Sequence, residues 1–241
     1  MSRKILCLHG GEQTKEQFKY QLTDIISELQ DIFTFDFLDS PNINNTWWNS
    51  IDKKTPTQDE NHAAQFLSII NNKIESDGPY YGLLGYSQGA AACIVYLAYK
   101  QTNNIERIYM FNGYVPTIHH GLMKNIVKNS PFSKKSLIFI GKKDYHFYDL
   151  GLQIKSNNEI RKDWPNYKGF TDYVEIISDN TGHNPPTKSD SNFNNVINFF
   201  KNKPQENNDN NNLSLIIGLT LGLGLPITFI IIYLIVKRKI F

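Results

Sequence analysis

The chain has 241 residues, of which 40% are hydrophobic and 20% charged, enough for one sizeable core in a globular unit. Its formal net charge of +2 has the lysines scattered among acids, which excludes the basic stripe that nucleic-acid binding needs. Two cysteines, Cys7 and Cys93, both in apolar runs, exclude a disulfide framework and are expected as buried free thiols of a reducing compartment.

In chain order, "KILCLHG" (4–10) reads as a first strand. Its apolar stretch is too short for the core of a secretory signal. A helix is predicted over 14–29, opened by the capping pattern Thr14-x-x-Gln17. "IFTFDFLD" is a strand rich in β-favouring aromatics, and residues 40–56 form a long loop containing Pro41, Trp47 and Trp48. Asp59 is the predicted cap of a helix running through Glu75. There follow strand "YYGLLGY", a helix over 88–100, strands "RIYMFNG", "SLIFIGKKD" and "DYVEIISD", and a last helix around 191–201. Nearly continuous apolar strands mark a mostly parallel sheet buried on both faces, so a single doubly wound α/β domain is expected over 1–202.

The remaining residues read differently. Residues 203–212, "KPQENNDNNN", form an Asn-rich segment expected to be a flexible linker. Residues 213–236 carry no charge, and "KRKIF" (237–241) is a short basic tail. As a helix, 213–236 would measure about 36 Å against roughly 30 Å of bilayer hydrocarbon, so a single transmembrane helix is expected, kinked at Pro226. Gly218 and Gly222 have the spacing of a weak helix-pairing motif, which would allow a homodimer. The expected topology is tail-anchored, with the globular domain cytosolic.

The chemistry centres on "GLLGYSQGAA", where Ser87 follows a strand and precedes an alanine-rich helix. Gly-x-Ser-x-Gly in that setting raises a serine hydroxyl above the carboxyl edge of the sheet on a strained turn. Side chains at 85 and 89 would collide with backbone, hence the two glycines. A serine needs a base and an orienting acid, expected later in the chain just past strand ends. Asp144 after "SLIFIGKK" and His183 after "VEIISDNTG" fit those positions. The rival acids are Asp149 and Asp179, and the rival bases are His119 and His120. His146 is expected at the pocket or surface, and His62 on a solvent-facing helix side. The backbone N–H of Gln88 is one expected oxyanion donor, and that of Gly11 in "LHGGEQT" the other, with Glu12 as its alternative. Trp47, Trp48, Tyr86 and Tyr114 are candidates for an apolar pocket mouth, against ordinary loop packing. No cysteine–histidine cluster offers metal spacing, and no cofactor is called for.

At these residues the sequence resembles the FSH family of serine hydrolases, a branch of the α/β-hydrolases. The matching pieces are "ILCLHG", "FTFDFLDSP", "WW" at 47 and 48, "GPYYGLLGYSQGAA", "LIFIGKKD" and "TGHNPP", in order from about residue 4 to 200. The resemblance implies Ser87 as nucleophile, Asp144 as acid and His183 as base, acting on carboxylic esters, including fatty acyl ones. "GKKDYHFY" departs from the more proline-containing acid loop of that family, and Gly11 stands where it often has a bulky residue. The expected activity is a membrane-anchored ester hydrolase acting on a small or lipid-like ester. The alternatives are an acyl-protein thioesterase and a non-catalytic binding module on the same fold.

Overall fold

The computed structural model describes residues 2–48, 63–100, 105–155 and 163–202. Among the described residues six strands form one parallel sheet: β1 (Arg3–Leu8), β2 (Phe33–Leu38), β3 (Tyr80–Tyr86), β4 (Arg107–Phe111), β5 (Lys135–Gly141) and β6 (Tyr173–Ser178), in spatial order β2-β1-β3-β4-β5-β6. The order reverses beside β1, the switch point of a doubly wound sheet, and every pairing is parallel.

Strand alternation divides the interior into two cores. Ile5, Cys7, Leu84, Phe111 and Phe139 point to one face, where they meet α1 (Lys15–Gln21), α2 (Thr23–Leu29) and α7 (Phe193–Phe200). Leu6, Leu8, Leu83, Met110 and Ile138 point to the other, under α3 (Ala64–Asp77), α4 (Gln88–Lys100) and α5 (His120–Asn129). Both cysteines are buried and free.

Three expectations shift. The helix predicted over 14–29 is two helices. Its capping box forms as expected, with Thr14 accepting from the Gln17 N–H. At Leu22 the backbone leaves the helical region (φ −91°, ψ 9°), and the Thr23 hydroxyl bonds the Tyr20 carbonyl 2.6 Å away, a local side-chain bond that competes with the helix. Helix α5 and the short α6 (Tyr148–Leu152) occupy stretches without a predicted helix. The last helix is shorter than expected, starting at Phe193. The Asp59 cap, the linker, the uncharged run with Pro226, Gly218 and Gly222, and the basic tail all lie outside the described residues. Among the described residues no helix is long and apolar enough to cross a membrane.

Candidate active site

The carboxyl ends of β3, β4, β5 and β6 deliver the site. Beyond Tyr86 the chain turns directly into α4, and Ser87 sits at the turn with φ 52°, a strained value for a residue with a side chain. Its N–H is held by the Phe111 carbonyl at 3.0 Å. The flanking glycines are required by contact. A Cβ on Gly85 would lie 2.4 Å from the Gly89 carbonyl oxygen, and one on Gly89 would lie 2.1 Å from that of Leu8. The helix therefore starts pressed against β1, and Ser87 is thrust over the edge.

His183 and Asp144 converge on that serine. His183 Nε2 lies 2.9 Å from Ser87 Oγ, and His183 Nδ1 is hydrogen-bonded to Asp144 Oδ2. Asp144 is buried, and its second oxygen accepts from the Phe147 N–H at 3.1 Å. With the carboxylate on Nδ1, the neutral imidazole carries its proton there and turns the bare Nε2 toward the hydroxyl. Two aromatic rings flank the imidazole: Phe147, stacked at 4.5 Å, and Tyr86 at 5.2 Å. The Tyr86 hydroxyl donates to the His183 carbonyl at 2.6 Å. Burial, aided by the Asp144 charge, pushes the Tyr86 phenol above its ordinary range, so it stays a donor.

Gly11 and Gln88 are neighbours, since a Cβ on Gly11 would stand 3.2 Å from Gln88 Oε1. Among the described residues no backbone carbonyl takes the N–H of either. The Glu12 N–H, by contrast, is bonded to the Asn45 carbonyl at 2.9 Å, which leaves Gly11 as the available donor of that loop. His9, fully buried beneath the loop, bonds the Gly10 carbonyl through Nδ1 at 2.7 Å and accepts the Ser40 N–H at Nε2. Burial pushes its pKa down from the ordinary 6.5, so it is neutral.

The rivals stand elsewhere. Asp179 pairs with Lys142 at the surface, and Asp149 is exposed. His119 caps α5, accepting the Leu122 N–H, while His120 packs against Trp164. His146 is exposed, and His62 lies outside the described residues.

The expected pocket mouth needs correction. Trp47 and Trp48 are buried, 0% and 5% exposed, and pack on Phe66 instead of walling an opening. Trp47 donates its indole N–H to the His9 carbonyl at 2.8 Å, and Gln88 clasps the backbone of both tryptophans: Oε1 accepts the Trp47 N–H, Nε2 donates to the Trp48 carbonyl. Loop packing wins because indoles this large gain most by full burial. Tyr86 is buried too, beneath the histidine. Tyr114 is half-buried beside Phe147, and burial pushes its phenol pKa up. Two residues were missed: Phe147, within the unfamiliar "GKKDYHFY", and Asn112. For Asn112 the Asn-Gly pair ending "RIYMFNG" was an available signal, since both residues tolerate positive φ. No group of acids, histidines or cysteines suited to a metal occurs among the described residues.

A strained serine between strand and helix, over the switch-point edge of a parallel sheet, defines the class of α/β-hydrolase folds. The fold of esterase PE8 is alike, with a TM-score of 0.61 at 13% identity over 84% of this chain and 93% of that one. Zea mays acyl-protein thioesterase 2 is similar as well, with a TM-score of 0.51 at 13% identity over 83% and 93% of the two chains. Residues 1–150 match the family described as "Serine hydrolase (FSH1)", and the chain belongs to that family. An esterase of Drosophila pseudoobscura pseudoobscura is 25% identical over 226 residues, covering 84% of this chain and 72% of the relative. Esterase FUS5 of Gibberella moniliformis is 22% identical, over 78% of this chain and 81% of its own. The family match takes in Ser87 and Asp144 but stops short of His183, whose place rests on geometry.

Proposed function

We propose that this serine hydrolase cleaves carboxylic esters of apolar or fatty acyl groups, with Ser87 as nucleophile, His183 as general base and Asp144 as its orienting acid. The observation that carries the reading is the unbroken hydrogen-bonded path from the buried Asp144 carboxylate through the imidazole to the Ser87 hydroxyl. His183 takes the hydroxyl proton at Nε2 as Oγ attacks the ester carbonyl carbon. The new oxyanion is held by the N–H groups of Gln88 and Gly11. His183 then returns the proton to the leaving alkoxide, and water repeats the cycle on the acyl-enzyme, releasing the acid. Asp144 holds the imidazole in place and steadies the imidazolium formed between the steps.

The uncharged run 213–236 supports a further part of the reading, that the domain is anchored to a membrane by one helix, on the cytosolic side. Full-length protein is then expected to pellet with membranes through alkaline carbonate, and protein ending at residue 202 to stay in the supernatant. For the chemistry, a fluorophosphonate probe is expected to label Ser87 in folded protein and to lose its target in Ser87→Ala. No adduct on folded protein would leave a non-catalytic binding module. Matched oxygen and sulfur esters of increasing acyl length then separate an esterase from an acyl-protein thioesterase by the ratio of kcat/KM.

A further inference from the structure

Asn112 lies at the carboxyl end of β4 and is 1% exposed. Its side chain reaches both loops that the reaction depends on. Oδ1 accepts the N–H of Gly141 at 2.7 Å, at the end of β5, three residues before Asp144. Nδ2 donates to the Asn184 carbonyl at 2.6 Å and, more weakly, toward the Gly182 carbonyl at 3.4 Å. His183 is thus bracketed by the two carbonyls that one amide group holds. The carbonyl between them, that of His183 itself, is held by the Tyr86 hydroxyl. Three consecutive peptide oxygens of the base loop are therefore tied to side chains at the ends of the two central strands.

The residue type matches the task. A terminal amide offers one acceptor and two donors in a plane, which is what one N–H and two carbonyls demand. A carboxylate of the same shape has no donor for the carbonyls, a serine hydroxyl has one, and a leucine has none. The backbone is fitted to it as well: Asn112 has φ 45°, a region that asparagine enters more readily than other residues with side chains, and its own N–H is fixed to the Phe139 carbonyl.

We propose that Asn112 is a positioning residue for the hydrolytic reaction, an amide bridge that fixes the acid loop and the base loop to each other, so that Asp144, His183 and Ser87 stay in register. The inference rests on the reading of Ser87 and His183 given under Proposed function. Without the bridge the imidazole keeps its partners but loses its fixed height over the serine, and misplacement by about 1 Å is enough to cost roughly 100-fold in rate.

The test compares wild type with N112D, which preserves shape, keeps the bond to Gly141 and sets a carboxylate against two carbonyls. The expected result is a kcat lower by about 10- to 100-fold with KM within about twofold, and fluorophosphonate labelling of Ser87 slowed in proportion. The far-downfield proton resonance of His183 Nδ1 should weaken or exchange faster in the folded variant, a signature that loss of stability alone does not move. N112S, whose shorter hydroxyl stops short of both loops and also removes the acceptor for the Gly141 N–H, is the second variant and is expected to lose at least as much. It also serves if N112D does not fold. Folded N112D or N112S with wild-type kcat, or activity lost only in step with the folded fraction while the downfield proton persists, overturns the proposal. If wild type itself is not labelled by the probe, the hydrolase reading falls instead.

Discussion

The two edges of the sheet solve the same problem in opposite ways. At the amino edge the chain is satisfied by packing: Arg3 lies over the rings of Phe33 and Tyr81, 5.0 and 4.6 Å away, and Arg107 over Phe199 at 5.5 Å. Arg107 also donates to the Tyr81 hydroxyl and to Asn202, closing that end. At the carboxyl edge the backbone is held in tight conformations. Four of the five non-glycine residues with positive φ among the described residues, Glu12, Asn45, Ser87 and Asn112, stand there. Contacts at the amino edge are interchangeable contributions to stability. At the carboxyl edge geometry is bought with strain, and stability and reactivity should part company there.

The sharpest way to break this comparison is at Ser87. Ser87→Ala is expected to lower kcat by roughly 10⁴- to 10⁶-fold, with unfolding little changed. Ser87→Gly is expected to be equally inactive yet more stable by about 1 kcal/mol, because glycine adopts φ 52° without strain. Hydrolysis and denaturant unfolding measured on both variants decide it. A destabilised Ser87→Gly would remove the claim of stored strain.

Next in size is Gly89→Ala. Its new methyl would stand 2.1 Å from the Leu8 carbonyl oxygen and 2.5 Å from that of His9, both backbone atoms that cannot swing aside. Helix α4 must lift from β1, so a loss of about 3 kcal/mol or more is expected, read from the urea midpoint. The same shift displaces the Gln88 N–H, so the folded remainder should also react more slowly. The conservative change Arg107→Gln gives the contrasting result at the other edge. About 1–2 kcal/mol should be lost with its charged hydrogen bonds and ring contact, while kcat per folded molecule stays at the wild-type value.

What the sequence reveals of the fold and the site follows the same division. The succession of strands along the chain, their burial on both faces and the serine turn were legible because each is written locally: apolar runs of strand length, glycines on both sides of Ser87, aspartate and histidine just beyond strand ends. The choice between pocket mouth and loop packing at Trp47 and Trp48 stayed open because composition tells an aromatic from a polar residue, not an inward side chain from an outward one. Their burial depends on Gln88 and His9, about 40 residues away on either side. Phe147 and Asn112 escaped notice for a related reason. Neither is a chemical group that reacts, and their roles exist only once separate loops meet at one edge. The break at Leu22 was hidden because the periodicity of residues 14–29 is intact on both sides of it.

The smallest expected effect tests the carboxyl edge through pH. His9 is fully buried between two hydrogen bonds, with Nδ1 bonded to the Gly10 carbonyl and Nε2 accepting from Ser40. Protonation would set a second N–H against the Ser40 N–H and place a charge away from water. Burial lowers its pKa more than the Gly10 bond and the charges of Asp39 and Glu16 raise it. The folded state therefore binds this proton less readily than the unfolded chain does. Above the ordinary value of 6.5 the ring is neutral in both states and the contribution to stability is fully present. As pH falls below that value the unfolded chain takes up the proton first, and stability declines by up to about 1.4 kcal/mol per pH unit until the folded ring also titrates. His9→Asn removes the titrating group, so its urea midpoint should fall less steeply than that of wild type between about pH 6.5 and pH 5. Parallel slopes would mean that the acid sensitivity arises from some other group, and that the Gly10–Gly11 loop is not anchored by a histidine that must stay neutral.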